Sequence, residues 1–221
     1  MPVTSTELST NFRRLETGAG QSLGRHRPPE NAAIPSVSRR AVLAFVALGS
    51  NLEDPMGQVE RALGALAQLP GSRLIWQSSL YLSAPVGGVV QPPFINAVAA
   101  LWTRLGAAEL LASLHELEQR AGRQRAEERY WGPRILDLDL LSHGSCRVTR
   151  ADLVLPHPRL HERAFVLLPL SEFDPEWHIP GQGPLSQFLA AVADQPIQRL
   201  APGKNRNLQS LQYSSFWGKE E

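Results

Sequence analysis

One cysteine, Cys146, stands in a chain of 221 residues. It can form neither an internal disulfide nor a cysteine-rich zinc site, which fits a reducing compartment. Long apolar runs are lacking as well. The longest, Ala41 to Leu48, falls far short of the roughly 20 residues that span a bilayer, so a cytoplasmic protein without a membrane partner is expected. Charge of one sign is scarce: Lys+Arg number 22 against Asp+Glu 21, a net charge of +1. That balance leaves no general electrostatic footprint for nucleic acid, and any positive field has to come from a local arginine cluster. The Gly-x-x-x-x-Gly-Lys-Ser/Thr phosphate loop and the protein-kinase signature set are both missing, which excludes those two nucleotide-binding classes. Residues 1–40 are poor in large apolar side chains and show no sustained period, so they read as a disordered leader; their Arg and Ser content makes a transit peptide the lesser reading.

What is there begins at Ala41. Val42, Ala44, Val46 and Leu48 alternate with Leu43, Phe45 and Ala47, and a strand apolar on both faces belongs in the middle of a sheet. After the turn Gly49-Ser50-Asn51-Leu52, Asp54-Pro55 supplies an N-cap and a first helical residue, and Met56, Val59, Leu63, Leu66 and Leu69 repeat at helical spacing up to Pro70-Gly71. Strands are predicted over Leu74–Leu82, Phe94–Thr103 and Ile135–His143, with helices over Gly106–Arg120, around Glu162–Phe173 and near Leu185–Ala193. The order strand, helix, strand, strand, helix, strand is that of an α+β ferredoxin-like sandwich, with helices on one face of a mainly antiparallel sheet. One domain over residues 41–195 is expected, followed by a loosely ordered tail over 196–221.

The most informative string is Ile135-Leu136-Asp137-Leu138-Asp139-Leu140-Leu141. Period-two alternation puts Asp137 and Asp139 on one face and Leu136, Leu138 and Leu140 on the core face. Two like charges so placed suit a hard cation such as magnesium, although a bare Asp-x-Asp is more often a pair of solvated acids. Just upstream, Arg123, Arg125, Arg129 and Arg134 crowd an aperiodic stretch, and Arg163 joins from the following helix. Guanidinium forks match phosphate oxygens, so the combination points to phosphoryl-type transfer, with simple surface ion pairing as the competing account. Phe94 and Asn96, two apart on one strand face, can stack on and hydrogen-bond a flat heterocycle, or merely pack. His157 between two prolines either contacts phosphate or caps a turn.

These residues resemble the 6-hydroxymethyl-7,8-dihydropterin pyrophosphokinase family. The resemblance runs from about Val42 to Leu170, through Gly49-Ser50-Asn51-Leu52, Ser78-Ser79-x-Tyr81, Gln91-Pro92-x-Phe94-x-Asn96, Gly122-Arg123, Trp131-Gly132-Pro133-Arg134-x-Leu136-Asp137-Leu138-Asp139 and Pro156-His157-Pro158-Arg159. It implies a ferredoxin-like fold and transfer of the β,γ-diphosphate of ATP to the pterin alcohol with release of AMP. It also implies two Mg2+ ions on Asp137 and Asp139, with Arg123 and Arg134 offsetting charge in the reaction. By the same resemblance His115, Glu118, Arg125, His157 and Arg163 contact nucleotide or phosphate. Phe94 and Phe165 sandwich the pterin, Asn96 reads its edge, and Trp131 closes over the site. Three departures stand out: Tyr130 precedes Trp131 where many relatives have Arg, the leader before Ala41 and the tail after about Pro196 exceed the compact family domain, and Ala84 replaces the first residue of a frequent Pro-Pro pair. A monomer acting on small molecules is expected. Another Asp-x-Asp nucleotidyl or glycosyl transferase, and a ferredoxin-like RNA-binding module, stand as alternatives.

Overall fold

The computed structural model describes residues 40–87, 90–123 and 132–201. The first strand, β1 (Val42–Ser50), leads into helix α1 (Pro55–Ala67), then β2 (Ser72–Gln77), β3 (Tyr81–Ser83), β4 (Phe94–Thr103), helix α2 (Ala107–Arg120) and β5 (Asp137–His143). Two short strands, β6 (Val148–Arg150) and β7 (Leu153–Leu155), form a hairpin ahead of helix α3 (Ala164–Ser171). A second hairpin, β8 (His178–Ile179) with β9 (Gly183–Pro184), precedes the single turn of α4 (Ser186–Leu189) and a last strand, β10 (Ile197–Arg199). No described helix is long and apolar enough to cross a membrane.

The central sheet is antiparallel throughout, in the order β10-β3-β4-β1-β5, with β2 also paired to β4. Both faces of β1 are buried from Ala44 onward, as its unbroken apolar run predicts. Asp54 caps α1 by accepting the Gly57 N–H at 3.1 Å, with Pro55 as the first helical residue. On one face of the sheet, Val46, Leu48, Ala97, Leu101 and Leu138 pack with Val59 and Leu66 of α1 and Leu110 and Leu114 of α2.

The opposite face is covered too, which corrects the expectation of helices on one face only. Phe45 points there, edge-on to Phe173 at 5.0 Å and to Trp177 at 4.8 Å between centroids, and α3 lies against β4 and β3. The reason is compositional: Ala164-Phe165-Val166-Leu167-Leu168-Pro169-Leu170 has no polar face, and such a helix has to be covered on several sides.

Two further expectations change. The strand predicted over Leu74–Leu82 is two strands, because Ser78 interrupts it: its hydroxyl, rather than a backbone carbonyl, accepts the Val98 N–H at 2.9 Å. The tail expected from residue 196 instead opens with β10, which extends the sheet beside β3 and is tied there by Arg199, whose Nε lies 3.0 Å from Glu172.

Candidate active site

Asp137 and Asp139 open β5 where it runs beside β1, opposite Gly49 and Ala47 respectively. Across the other edge of β1, Gly49 pairs with Asn96. The row Asn96, Gly49, Asp137 therefore crosses three strands with a side-chain gap at its centre. A Cβ at position 49 would lie 3.3 Å from Asn96 Oδ1, 3.8 Å from the Phe94 ring and 4.0 Å from Asp137 Cβ. Small residues on the middle strand leave a floor, and over it stands a cavity of about 320 Å3.

Phe94 and Asn96 on β4 flank the Gly49 gap on one side and Arg134, Asp137 and Asp139 on the other, and Phe165, His157 and Arg163 complete the lining. The two aspartates face the same cavity while Leu136, Leu138 and Leu140 are buried behind them, as the alternation requires. Asp137 is gripped from two sides, by Arg123 Nη1 on Oδ1 and by Arg134 Nη1 on Oδ2, each at 2.5 Å. Burial by itself works against its charge, but the Arg134 and Arg123 guanidiniums more than offset that and hold the carboxyl below the usual range. Asp139 receives Arg163 Nη1 at 3.2 Å, and Arg163 also lies over the Phe165 ring at 5.4 Å.

His157 stands with Nε2 3.8 Å from Asp139 Oδ2. Its Nδ1 accepts the Arg159 N–H at 3.2 Å, so the neutral ring carries its proton on Nε2, toward the acid. Burial pushes its pKa below 6.5, against the pull of Asp139. Asn96 is turned by a hydrogen bond from its Nδ2 to Ser83 Oγ at 2.9 Å.

The two residues assigned to nucleotide on α2 do not line the cavity. Glu118 is 0% exposed, and its Oε1 takes Arg123 Nη1 at 2.5 Å and the Leu138 N–H at 2.7 Å. The resemblance assigned it to nucleotide, but the adjacent edge of β5 supplies a buried donor that a carboxylate can satisfy. His115 is half-buried on the same helix and away from the cavity walls. Arg125, Arg129, Tyr130 and Trp131 lie outside the described residues. Ser83, Gln91 and Arg159 line the cavity without having been singled out. Gln91 and Arg159 sit inside the family strings, whereas Ser83 carries no signal beyond adjacency to Ala84.

The donor chemistry fits magnesium. Two carboxylate side chains on one strand face are hard oxygen ligands, and guanidiniums beside them suit the phosphates that share such an ion. Among the described residues no three or more His, Cys, Asp or Glu side chains cluster as a protein cage. The match is to an ion that takes most of its oxygens from phosphate and water.

An antiparallel α/β sheet carrying an acid pair, convergent arginines and an aromatic wall defines a protein that handles a phosphorylated ligand next to a flat ring. The family model described as 7,8-dihydro-6-hydroxymethylpterin-pyrophosphokinase (HPPK) matches residues 45–175, and the chain belongs to that family. It is 44% identical over 159 residues to the 2-amino-4-hydroxy-6-hydroxymethyldihydropteridine pyrophosphokinase of Pseudomonas aeruginosa, covering 72% of this chain and 96% of that one. The enzyme of the same name from Haemophilus influenzae is 38% identical over 161 residues, covering 73% and 99%. Among solved structures, the HPPK-DHPS of Plasmodium falciparum with pteroate matches in fold with a TM-score of 0.54 at 14% identity. That match covers 70% of this chain and 44% of the longer one.

Proposed function

We propose that this protein is a pyrophosphokinase that transfers diphosphate from ATP to 6-hydroxymethyl-7,8-dihydropterin, giving AMP and the pterin diphosphate, in folate biosynthesis. Its family and its relatives' names support this activity. The observation that carries it into this chain is the cavity itself, where an aromatic-and-amide wall faces an acid-and-arginine wall across a glycine floor. The convergence of cationic side chains in a cavity, rather than over a surface, favours small molecules over nucleic acid as partners. The Asp-x-Asp nucleotidyl or glycosyl transferase and the RNA-binding module have no comparable support.

Phe94 and Phe165 stack on the pterin, and Asn96, oriented by Ser83, reads its edge. Arg134, Arg163 and His157, which line the cavity, bind the polyphosphate, while Arg123, buried between Glu118 and Asp137 and outside the lining, acts through Asp137. Asp137 and Asp139 would hold two magnesium ions, which supply neutralisation of phosphate charge when bound. The hydroxymethyl oxygen attacks the β-phosphorus in line; a new P–O bond forms as the hydroxyl proton is given up to solvent, the bond between the β-phosphorus and the α-phosphate oxygen breaks, and AMP leaves. The work of the chain is positioning and charge balance. Trp131 and Arg125 are assigned by the family string alone. The order β1, α1, β2/β3, β4, α2, β5 with spatial order β3-β4-β1-β5 supports a ferredoxin-like core, and residues 41–200 form the catalytic domain in this reading.

The test is incubation with ATP, magnesium and the pterin alcohol, with chromatography of the nucleotide product. AMP in step with the pterin diphosphate is expected; release of ADP or of free pyrophosphate refutes the assignment.

A further inference from the structure

Asn51 immediately follows β1 and is only 2% exposed. Its Nδ2 donates to Gln91 Oε1 at 3.0 Å and to the Pro92 carbonyl at 2.9 Å. Its Oδ1 accepts the Arg134 N–H at 2.7 Å, while its own backbone N–H donates to the Arg134 carbonyl at 3.1 Å. Pro92 offers an acceptor here and the Arg134 amide a donor, so the side chain sits in one orientation, with both amide hydrogens engaged.

The two segments joined at this point border different walls. Gln91 and Pro92 end the connection that begins at Ala84 and lead directly into Phe94. Arg134 leads into β5, and its guanidinium grips Asp137. One buried amide therefore ties the root of the aromatic wall to the root of the acid-and-arginine wall. Ser or Asp at this place could satisfy only part of the set, since neither combines two side-chain donors with an acceptor.

We propose that Asn51 is a positioning residue that couples the two walls, so that seating phosphate beside Arg134 is transmitted to the ring site at Phe94, and the reverse. The identity of the two ligands rests on the pyrophosphokinase reading; the strut itself does not. Asn51 does not line the cavity and acts through the backbone of Arg134 and through Gln91 and Pro92.

Calorimetry on the full chain tests this. The pterin Kd is measured without and with a non-hydrolysable ATP analogue plus magnesium, and the ratio is the coupling factor, equal in both directions by linkage. A wild-type ratio of roughly fivefold or more is expected. Asn51→Asp keeps the oxygen that holds Arg134 and loses the donors to Gln91 and Pro92, so its ratio is expected to fall to about one. Gln91→Leu breaks the strut from the other end without burying a charge, and is expected to lower the ratio too; it carries the test if the aspartate variant unfolds. A purely structural role would lower the melting temperature and leave the ratio intact. A wild-type ratio near one, or an unchanged ratio in folded Gln91→Leu, overturns the coupling. A wild type that binds neither ligand overturns the pyrophosphokinase reading instead.

Discussion

The carboxylate of Glu118 accepts the backbone amide of Leu138 at 2.7 Å, on the edge of β5 that faces away from β1. The same oxygen takes Arg123, which in turn grips Asp137, so a fully buried acid on α2 holds both the strand and the guanidinium beside the cavity. An edge amide without a partner would be costly where water is excluded, and an arginine without its counter-charge more so.

Replacing Glu118 with Ala removes the acceptor that the Leu138 amide and Arg123 share. The expected loss is about 3 kcal/mol of unfolding free energy, the lower end for breaking a buried pair, because Asp137 still partners the arginine. Urea unfolding of Glu118→Ala against wild type measures it, and a loss comparable to that of an exposed surface substitution would contradict the buried role.

Asp139→Ala removes one of the two acids proposed for the metal. AMP formation at saturating ATP and magnesium should fall by at least about 100-fold, the scale on which a single electrostatic group at a reacting centre acts. The melting temperature should change little, since Asp139 is part-exposed and its Arg163 contact at 3.2 Å is not sealed from water. Near-normal turnover would remove Asp139 from the reaction.

Gly49→Ala tests the floor. The backbone there is ordinary strand, so the new methyl meets only Asn96, Phe94 and Asp137 at the distances given. Pterin affinity should drop about tenfold or more, the usual consequence of one misplaced methyl in a shaped pocket. Titration with the pterin alcohol in the presence of the nucleotide analogue is the check, and unchanged affinity would place the ring elsewhere.

Asp137 links the site to pH. Its carboxyl is held below the ordinary 3.8 in the folded chain, so the unfolded chain binds the proton more readily. Its contribution to stability is present above about pH 4 and is lost as acid is added through the lower folded value. In chelator-treated protein, the stability difference between wild type and Asp137→Asn should be constant from neutral pH down to about 4 and shrink below it. A difference that stays flat into stronger acid would show that the two arginines do not stabilise the charge.

The sequence alone determined the local elements and the direction of their side chains. The run after Ala41, the Asp54-Pro55 cap and the leucine spacing of the two long helices are short-range signals, and alternation through Leu136 to Leu140 was enough to put both aspartates on one side of a strand. The family strings named the chemistry but not how its parts are held. Only the tertiary structure brought Asn96, Gly49 and Asp137 into one row, because strand register is set by pairing across the sheet. Burial of Glu118 likewise depended on which donor the neighbouring strand presented, and helical spacing cannot report that. Asn51 looked like one residue of a turn until the ends of two distant loops were seen to meet on its amide. Such a role consists of contacts at sequence separations of 40 and 83, which no local pattern encodes.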